Sequence, residues 1–226
     1  MIVAERKPFD EIVAAVGDYR RVLVAGCGTC VAVCLAGGEK EAGILAAQLD
    51  LAAQLAGREQ TYATACVERQ CDREFLDELA AQMEDCDAVL SLACGAGVQF
   101  LAERYPGVPV LAGLNTTFIG VNLDVGQWGE RCRACRDCSL SFTGAVCAVS
   151  LCPKGQQNGP CGGAVDGKCE TDPRRDCAWT LIHASLAACD RLADLDRLAL
   201  PRDHSRAALP GAQTHAAYLR RYSAHD

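Results

Sequence analysis

The sequence predicts an α/β fold. A small parallel-sheet domain comes first, a cysteine-rich module follows, and a C-terminal helix with an extended tail comes last. Three observations predict it. Short apolar strands alternate with helical segments through the first 124 residues, the pattern of a parallel sheet with right-handed crossovers. Residues 130–178 hold little apolar material but much Cys and Gly. From Trp179 onward an amphipathic helical pattern returns. The expected boundaries are 1–126, 127–178 and 179–226.

The elements follow in order. Residues 1–18 read as one amphipathic helix with Phe9, Ile12, Val13 and Val16 on a single face. Val22-Leu23-Val24-Ala25 is a buried strand, followed by the turn Gly26-Cys27-Gly28 and a helix capped by Thr29. Gly37-Gly38 breaks that helix, and residues 39–57, rich in Ala, Leu, Glu and Gln, form the next. A strand over 61–64 and a helix near 72–85 come next. Ala88 to Leu92 is another strand, ending at Cys94-Gly95-Ala96-Gly97, and a helix to Tyr105 precedes a last strand over 108–111. Together these predict a Rossmann-like sheet, with a boundary near Gly126-Gln127-Trp128-Gly129. The final helix is expected over 179–199, and the polar tail from Pro201 is expected to lie on a surface or a partner.

Composition narrows the function. The chain has 226 residues, 50% hydrophobic and 23% charged, with 16 cysteines and a formal net charge of -7. That balance gives no basic footprint for a phosphate backbone, so no nucleic-acid partner is expected. Charge and Pro8 arrive before any apolar core, unlike a secretory signal, and no apolar run is long enough for a membrane span. A cytoplasmic setting is expected, with thiols reduced or holding metal rather than paired in disulfides. The histidines His183, His204, His215 and His225 all follow the cysteine region, which argues against mixed Cys/His zinc fingers.

Eight cysteines lie between residues 132 and 177: Cys132, Cys135, Cys138, Cys147, Cys152, Cys161, Cys169 and Cys177. The spacing of the first three is the ferredoxin C-x2-C-x2-C run, which wraps one face of a cubane. Eight thiols suffice for two 4Fe-4S clusters, and a cysteine before proline, here Cys152-Pro153, ligates the other cluster in two-cluster ferredoxins. How the eight divide is open at this stage. The side-chain-poor run Asn158 to Gly163 lets backbone N–H groups approach cluster sulfurs. One or two four-thiolate zinc sites are the alternative for this module.

A second group lies upstream. Cys27, Cys30 and Cys34 follow the first strand, Cys66 and Cys71 follow another, and Cys94 a third. Binding groups in open α/β sheets collect at the carboxyl ends of strands. Cys30 and Cys34, four apart, are expected to share a helical face. A 4Fe-4S site is expected to draw on Cys27, Cys30, Cys34, Cys71 and Cys94, one of them spare. Cys86 and Cys189 are expected to be small buried hydrophobes. Gly26-x-Gly28 is not a dinucleotide fingerprint, because Val31 stands at the third glycine position. The cysteine spacing also reverses the radical-SAM order. A thioredoxin-like role for Cys27-x-x-Cys30 is weakened by Cys34 close behind.

These motifs resemble the MetV subunit of bacterial methylenetetrahydrofolate reductase. The likeness is carried by Gly26 to Glu41, Leu90 to Gln99, Leu114 to Gly120, Glu130 to Cys138, Thr143-Gly144, Asn158 to Gly163, Gly167 to Glu170 and Cys177-Ala178-Trp179. Ala145-Val146-Cys147-Ala148 departs from the expected Gly-Ile-Cys-Pro type while keeping its cysteine. The resemblance implies a non-catalytic electron-transfer subunit with two or three 4Fe-4S clusters. Its partner would be MetF, a separate TIM-barrel flavoprotein that carries FMN and reduces 5,10-methylenetetrahydrofolate to 5-methyltetrahydrofolate. The donor would be ferredoxin, a heterodisulfide-reductase-like module or an NAD(P)H-oxidising subunit. The setting would be the one-carbon branch of the Wood–Ljungdahl pathway, or methionine synthesis. Residue by residue, the chain offers no flavin or folate pocket and no poised acid–base pair; Asp124, Glu130 and Asp137 read as surface acids. Against the electron carrier stand two other readings, a zinc-stapled adaptor that anchors a flavoprotein and an independent thiol redox enzyme.

Overall fold

The computed structural model describes residues 1–202, 204–205 and 211–218. They fall into two compact units, Met1–Arg131 and Cys132–Asp226. Part of the expected tail, including His225, lies outside the described residues.

The first unit runs β1 (Ile2–Arg6), α1 (Phe9–Val16), β2 (Arg21–Cys27), α2 (Cys30–Val33), α3 (Glu39–Leu55) and β3 (Thr61–Val67). It continues with α4 (Arg73–Leu76), a 3-10 turn (Asp77–Leu79), α5 (Ala80–Glu84), β4 (Ala88–Ser91), α6 (Gly95–Arg104) and β5 (Val110–Ala112). The strands β6 (Leu114–Asp124) and β7 (Gln127–Cys132) complete it. Four strands form a parallel sheet in the order β3-β2-β4-β5. β2 is buried from Val22 to Cys27, as a central parallel strand covered on both faces must be. Side chains alternate across it. Val22 and Val24 pack with Ile12, Leu45 and Leu49 of α1 and α3. Leu23 and Ala25 pack with Leu76, Leu79, Met83 and Leu101 on the opposite face.

Two expectations are corrected here. The first 18 residues are not one helix. Pro8, extended at φ -50 and ψ 137, precedes the helix, and Ile2–Arg6 pairs antiparallel with β6 instead. The stretch near Gly126 is the turn of the β6–β7 hairpin, with Gly126 at φ +74, and β1, β6 and β7 make a second, three-stranded sheet. Ile119, Val121 and Leu123 alternate with Gly120 and Asn122, the period of two that marks this strand.

Gly37 locks the start of the site-bearing edge. Its carbonyl accepts the Cys27 N–H at 2.8 Å and its N–H donates to Val31 O at 3.1 Å. A Cβ there would lie 2.0 Å from the Leu92 carbonyl oxygen, which is backbone and cannot swing away. Gly37→Ala is therefore expected to cost about 2–3 kcal/mol, read as a lower urea midpoint of the full chain. An unchanged midpoint would contradict this packing.

The second unit has a 3-10 turn (Leu140–Phe142), α7 (Ala148–Leu151), the antiparallel pair β8 (Lys168–Cys169) and β9 (Asp172–Asp176), and α8 (Ala178–Ala188). Two further 3-10 turns follow, Leu192–Asp196 and Ala216–Tyr218. Its buried apolar cluster is Ala148, Ile182 and Leu186, with Val146 and Trp179 packed against it. The helix expected to reach residue 199 ends at Ala188. Asp190 turns left-handed at φ +58, Arg191 N–H donates to Leu186 O at 2.9 Å and Asp190 N–H to Ala187 O at 3.2 Å. That is the Schellman pattern, which closes a helix. Among the described residues no helix is long and apolar enough to cross a membrane.

Candidate metal centres

In the first unit, three loops leave the carboxyl ends of neighbouring strands and are laced together by hydrogen bonds. Gly28 N–H donates to Val67 O at 2.8 Å, and Leu92 N–H to Ala25 O at 2.8 Å. Gln70, fully buried, sits between the loops. Its amide nitrogen donates to Ala25 O at 2.8 Å and Gly26 O at 3.0 Å. Its amide oxygen accepts from the Ser91 hydroxyl at 2.6 Å, and Ser91 Oγ accepts the Ala93 N–H at 3.3 Å. Each loop carries a thiol: Cys27 and Cys30 after β2, Cys71 after β3, and Cys94 after β4. The Thr116 hydroxyl accepts the Gly95 N–H at 2.9 Å and so anchors the start of α6 directly after Cys94.

The upstream thiols do not all face this edge. α2 stops at Val33, with Cys34 as its C-cap, and the Cys34 N–H still donates to Cys30 O at 3.3 Å. The Cys34 sulfur points inward, 3.5 Å from both Ala4 O and Val31 O. Cys66 lies within β3, in register with Gly26, and its sulfur packs where a Gly26 side chain would be. Although Cys71 as a residue is exposed, protein around its sulfur raises the thiol above its ordinary pKa, and Cys94, Cys27 and Cys30 raise it further. Burial, then Cys27, does the same to Cys66. Thiols crowded this way resist joint ionisation until a cation neutralises them.

In the second unit, Cys152, Cys161, Cys169 and Cys177 line one small cavity with Pro153, Lys154 and Trp179. Short elements bring them in: Cys152 ends α7, Cys169 closes β8 and Cys177 caps α8. The Asn158 to Gly163 run has its own logic. The Asn158 amide pairs with the Ala199 backbone in both directions, at 3.0 and 2.7 Å. Gly162, at φ +84, turns the chain left-handed after Cys161, a conformation glycine adopts freely. Lys154 forms an ion pair with Glu170, whose carboxylate lies 3.6 Å from the Cys161 sulfur. The Thr171 hydroxyl, 3.1 Å away, and then its backbone N–H hold the Cys169 thiol below its ordinary pKa.

The Cys132, Cys135, Cys138 run is shaped differently. Ala134 and Arg136, between the cysteines, both have positive φ, +50 and +62. Non-glycine residues held left-handed in a row mark a built loop. It turns the Ala134 N–H onto the Cys132 sulfur at 3.4 Å. Cys147 follows a second left-handed pair, Gly144 and Ala145.

All 16 cysteines are free thiols. Cys86 is half-buried, whereas Cys189, expected inside, is exposed just beyond the end of α8. Among the described residues no three Cys, His, Asp or Glu side chains stand as a ready single-ion site. The donor chemistry fits iron–sulfur clusters or zinc all the same, since both gathered sets offer four sulfurs and no histidine. Sequence reading passed over Gln70 and Ser91. Their signal was a polar side chain beside a cysteine, and another at the end of an apolar strand.

An α/β unit with thiols at its sheet edge, followed in the chain by a unit rich in cysteine, defines a thiol-rich two-unit protein. Residues 111–205 match the family model described as methylene-tetrahydrofolate reductase C terminal. The stretch holding Cys132 to Cys177 is thus similar to that C-terminal domain, and the match does not extend to Cys27, Cys30, Cys71 or Cys94. No curated protein and no solved structure matches the chain.

Proposed function

We propose that this chain is the iron–sulfur electron-transfer subunit of a MetV-type methylenetetrahydrofolate reductase. It would serve the FMN of a separate MetF flavoprotein, which reduces 5,10-methylenetetrahydrofolate to 5-methyltetrahydrofolate. The donor would be ferredoxin, a heterodisulfide-reductase-like module or an NAD(P)H-oxidising subunit. The observation that carries the reading is the cavity bounded by Cys152, Cys161, Cys169 and Cys177, inside the stretch similar to methylenetetrahydrofolate reductase C-terminal domains. Cys132, Cys135, Cys138 and Cys147 are left for a second set in the same unit.

When bound, an iron–sulfur cluster supplies reversible one-electron storage. The residues here would hold it and tune it. The thiolates would bind it, the Thr171 donors stabilise the anionic form of Cys169, and the Lys154 ammonium offsets the Glu170 carboxylate that stands beside Cys161. This chain supplies no proton donor or flavin site to the folate reaction in this reading; the flavoprotein does that chemistry.

The test is the chain purified without oxygen. Broad visible absorbance that bleaches with dithionite, with iron and acid-labile sulfide in equal amounts, is the expected result. A colourless protein holding only zinc would overturn it and leave the zinc-stapled adaptor, which binds the flavoprotein and carries no electrons.

A further inference from the structure

We propose that Cys27, Cys30, Cys71 and Cys94 form a separate four-thiolate metal site at the carboxyl edge of the parallel sheet, and that Cys34 and Cys66 are not its ligands. This deepens the iron–sulfur reading and rests on it for the identity of the metal.

Topology gives the first reason. β2 has β3 on one side and β4 on the other. The chain leaves β2 toward α3, whose Leu45 and Leu49 pack on one face of the sheet, and leaves β4 toward α6, whose Leu101 packs on the other. Strands that send their connections to opposite faces leave an open crevice between their carboxyl ends, where open α/β sheets bind ligands. Cys27 and Cys30 stand at the exit of β2 and Cys94 at the exit of β4. Cys71 is brought to them because Gln70, the residue before it, is bonded to Ala25, Gly26 and Ser91 at the ends of both strands.

Exclusion gives the second. Cys34 is 5% exposed and its sulfur faces the Ala4 and Val31 carbonyls in the core of α1, α3 and β1. Reaching the edge would require unwinding the turn that Ala36 and Gly37 close onto Val31 O. Cys66 sits one residue before the end of β3, paired with Gly26, and its sulfur lies 3.0 Å from where a Gly26 Cβ would stand. Of the six upstream thiols, four remain at the edge: Cys27 ends β2, Cys30 begins α2, Cys71 follows β3 and Cys94 caps α6.

Cys71 makes the test sharp, because it is exposed, so that an unligated thiol there can be alkylated once the labelling pH is high enough to ionise it. In the full chain isolated without oxygen, iodoacetamide labelling followed by peptide mapping should find Cys71 about tenfold or more slower before metal removal than after it. Cys34 should stay unlabelled in both states. Equal Cys71 labelling in both states would overturn the proposal. Metal and sulfide analysis of variants is the second arm. C71S and C94S should each lose about four iron atoms per chain while the second unit keeps its share, and C34A and C66A should lose none. Loss of the same iron from C34A, or none from C71S, would refute the ligand set. If the wild-type chain carries zinc instead, the electron-transfer reading fails, yet Cys71 protection still decides this site.

Discussion

Removing metal and sulfide from the chain is expected to unfold residues 132–188 and leave the parallel sheet intact. Among its described residues the second unit has a small apolar cluster, Ala148, Ile182 and Leu186, with Val146 and Trp179 beside it. Each large aliphatic side chain contributes about 1.5–3 kcal/mol on burial, too little to order a loop-rich segment of this length against its chain entropy. Metal bound to thiolates contributes about 10–16 kcal/mol in small zinc-folded modules, so with the proposed metal bound, order here would depend on it. The first unit differs, because two apolar clusters cover both faces of its sheet. Hydrogen exchange checks this. After chelation and sulfide removal, amides of β9 and α8 should exchange freely while those of β2 and β4 stay protected. Protection of α8 surviving complete metal loss would refute it.

Gln70→Leu should be the most damaging single replacement in the first unit. The amide is fully buried, and its hydrogen bonds join Ala25, Gly26 and Ser91. Leucine fills similar space but strands the Gly26 carbonyl and the Ser91 hydroxyl proton inside the protein, while Ala25 O keeps its bond from Leu92 N–H. Each buried group so stranded costs about 1–3 kcal/mol, so a total loss of about 3–5 kcal/mol is expected. Ser91→Ala removes a smaller part of the same network and should cost about 1–2 kcal/mol. Urea unfolding of the full chain, followed by far-ultraviolet circular dichroism, measures both. A Gln70→Leu protein within 1 kcal/mol of the parent, well inside the expected cost, would show that the loops are held by something else.

The parallel sheet was legible because its central strands β2 and β4 are largely apolar runs with Gly and Cys at or just past their ends, as a doubly covered strand must be. The second sheet was not. β1 is short and lies before a helix, and nothing local says that Ile2–Arg6 pairs with β6 more than a hundred residues away. The helix near 72–85 was legible only as one element, whereas α4, a 3-10 turn and α5 share that stretch. Cysteine spacing pointed to thiol sites but not to which thiols meet. Spacing treats Cys30 and Cys34 as equals, whereas the Cys34 sulfur faces the Ala4 and Val31 carbonyls in the core and Cys30 is only half-buried. The cavity that gathers Cys152, Cys161, Cys169 and Cys177 spans four separate loops and elements, so no local pattern could reveal it.

The parting of the connections after β2 and β4 to opposite faces has one more consequence. Cys71 stands in contact with solvent, and Cys30 and Cys94 are only partly covered. Were the proposed cluster held there, a redox partner could draw near from outside with every strand and helix in place, and electron exchange would call for no gate.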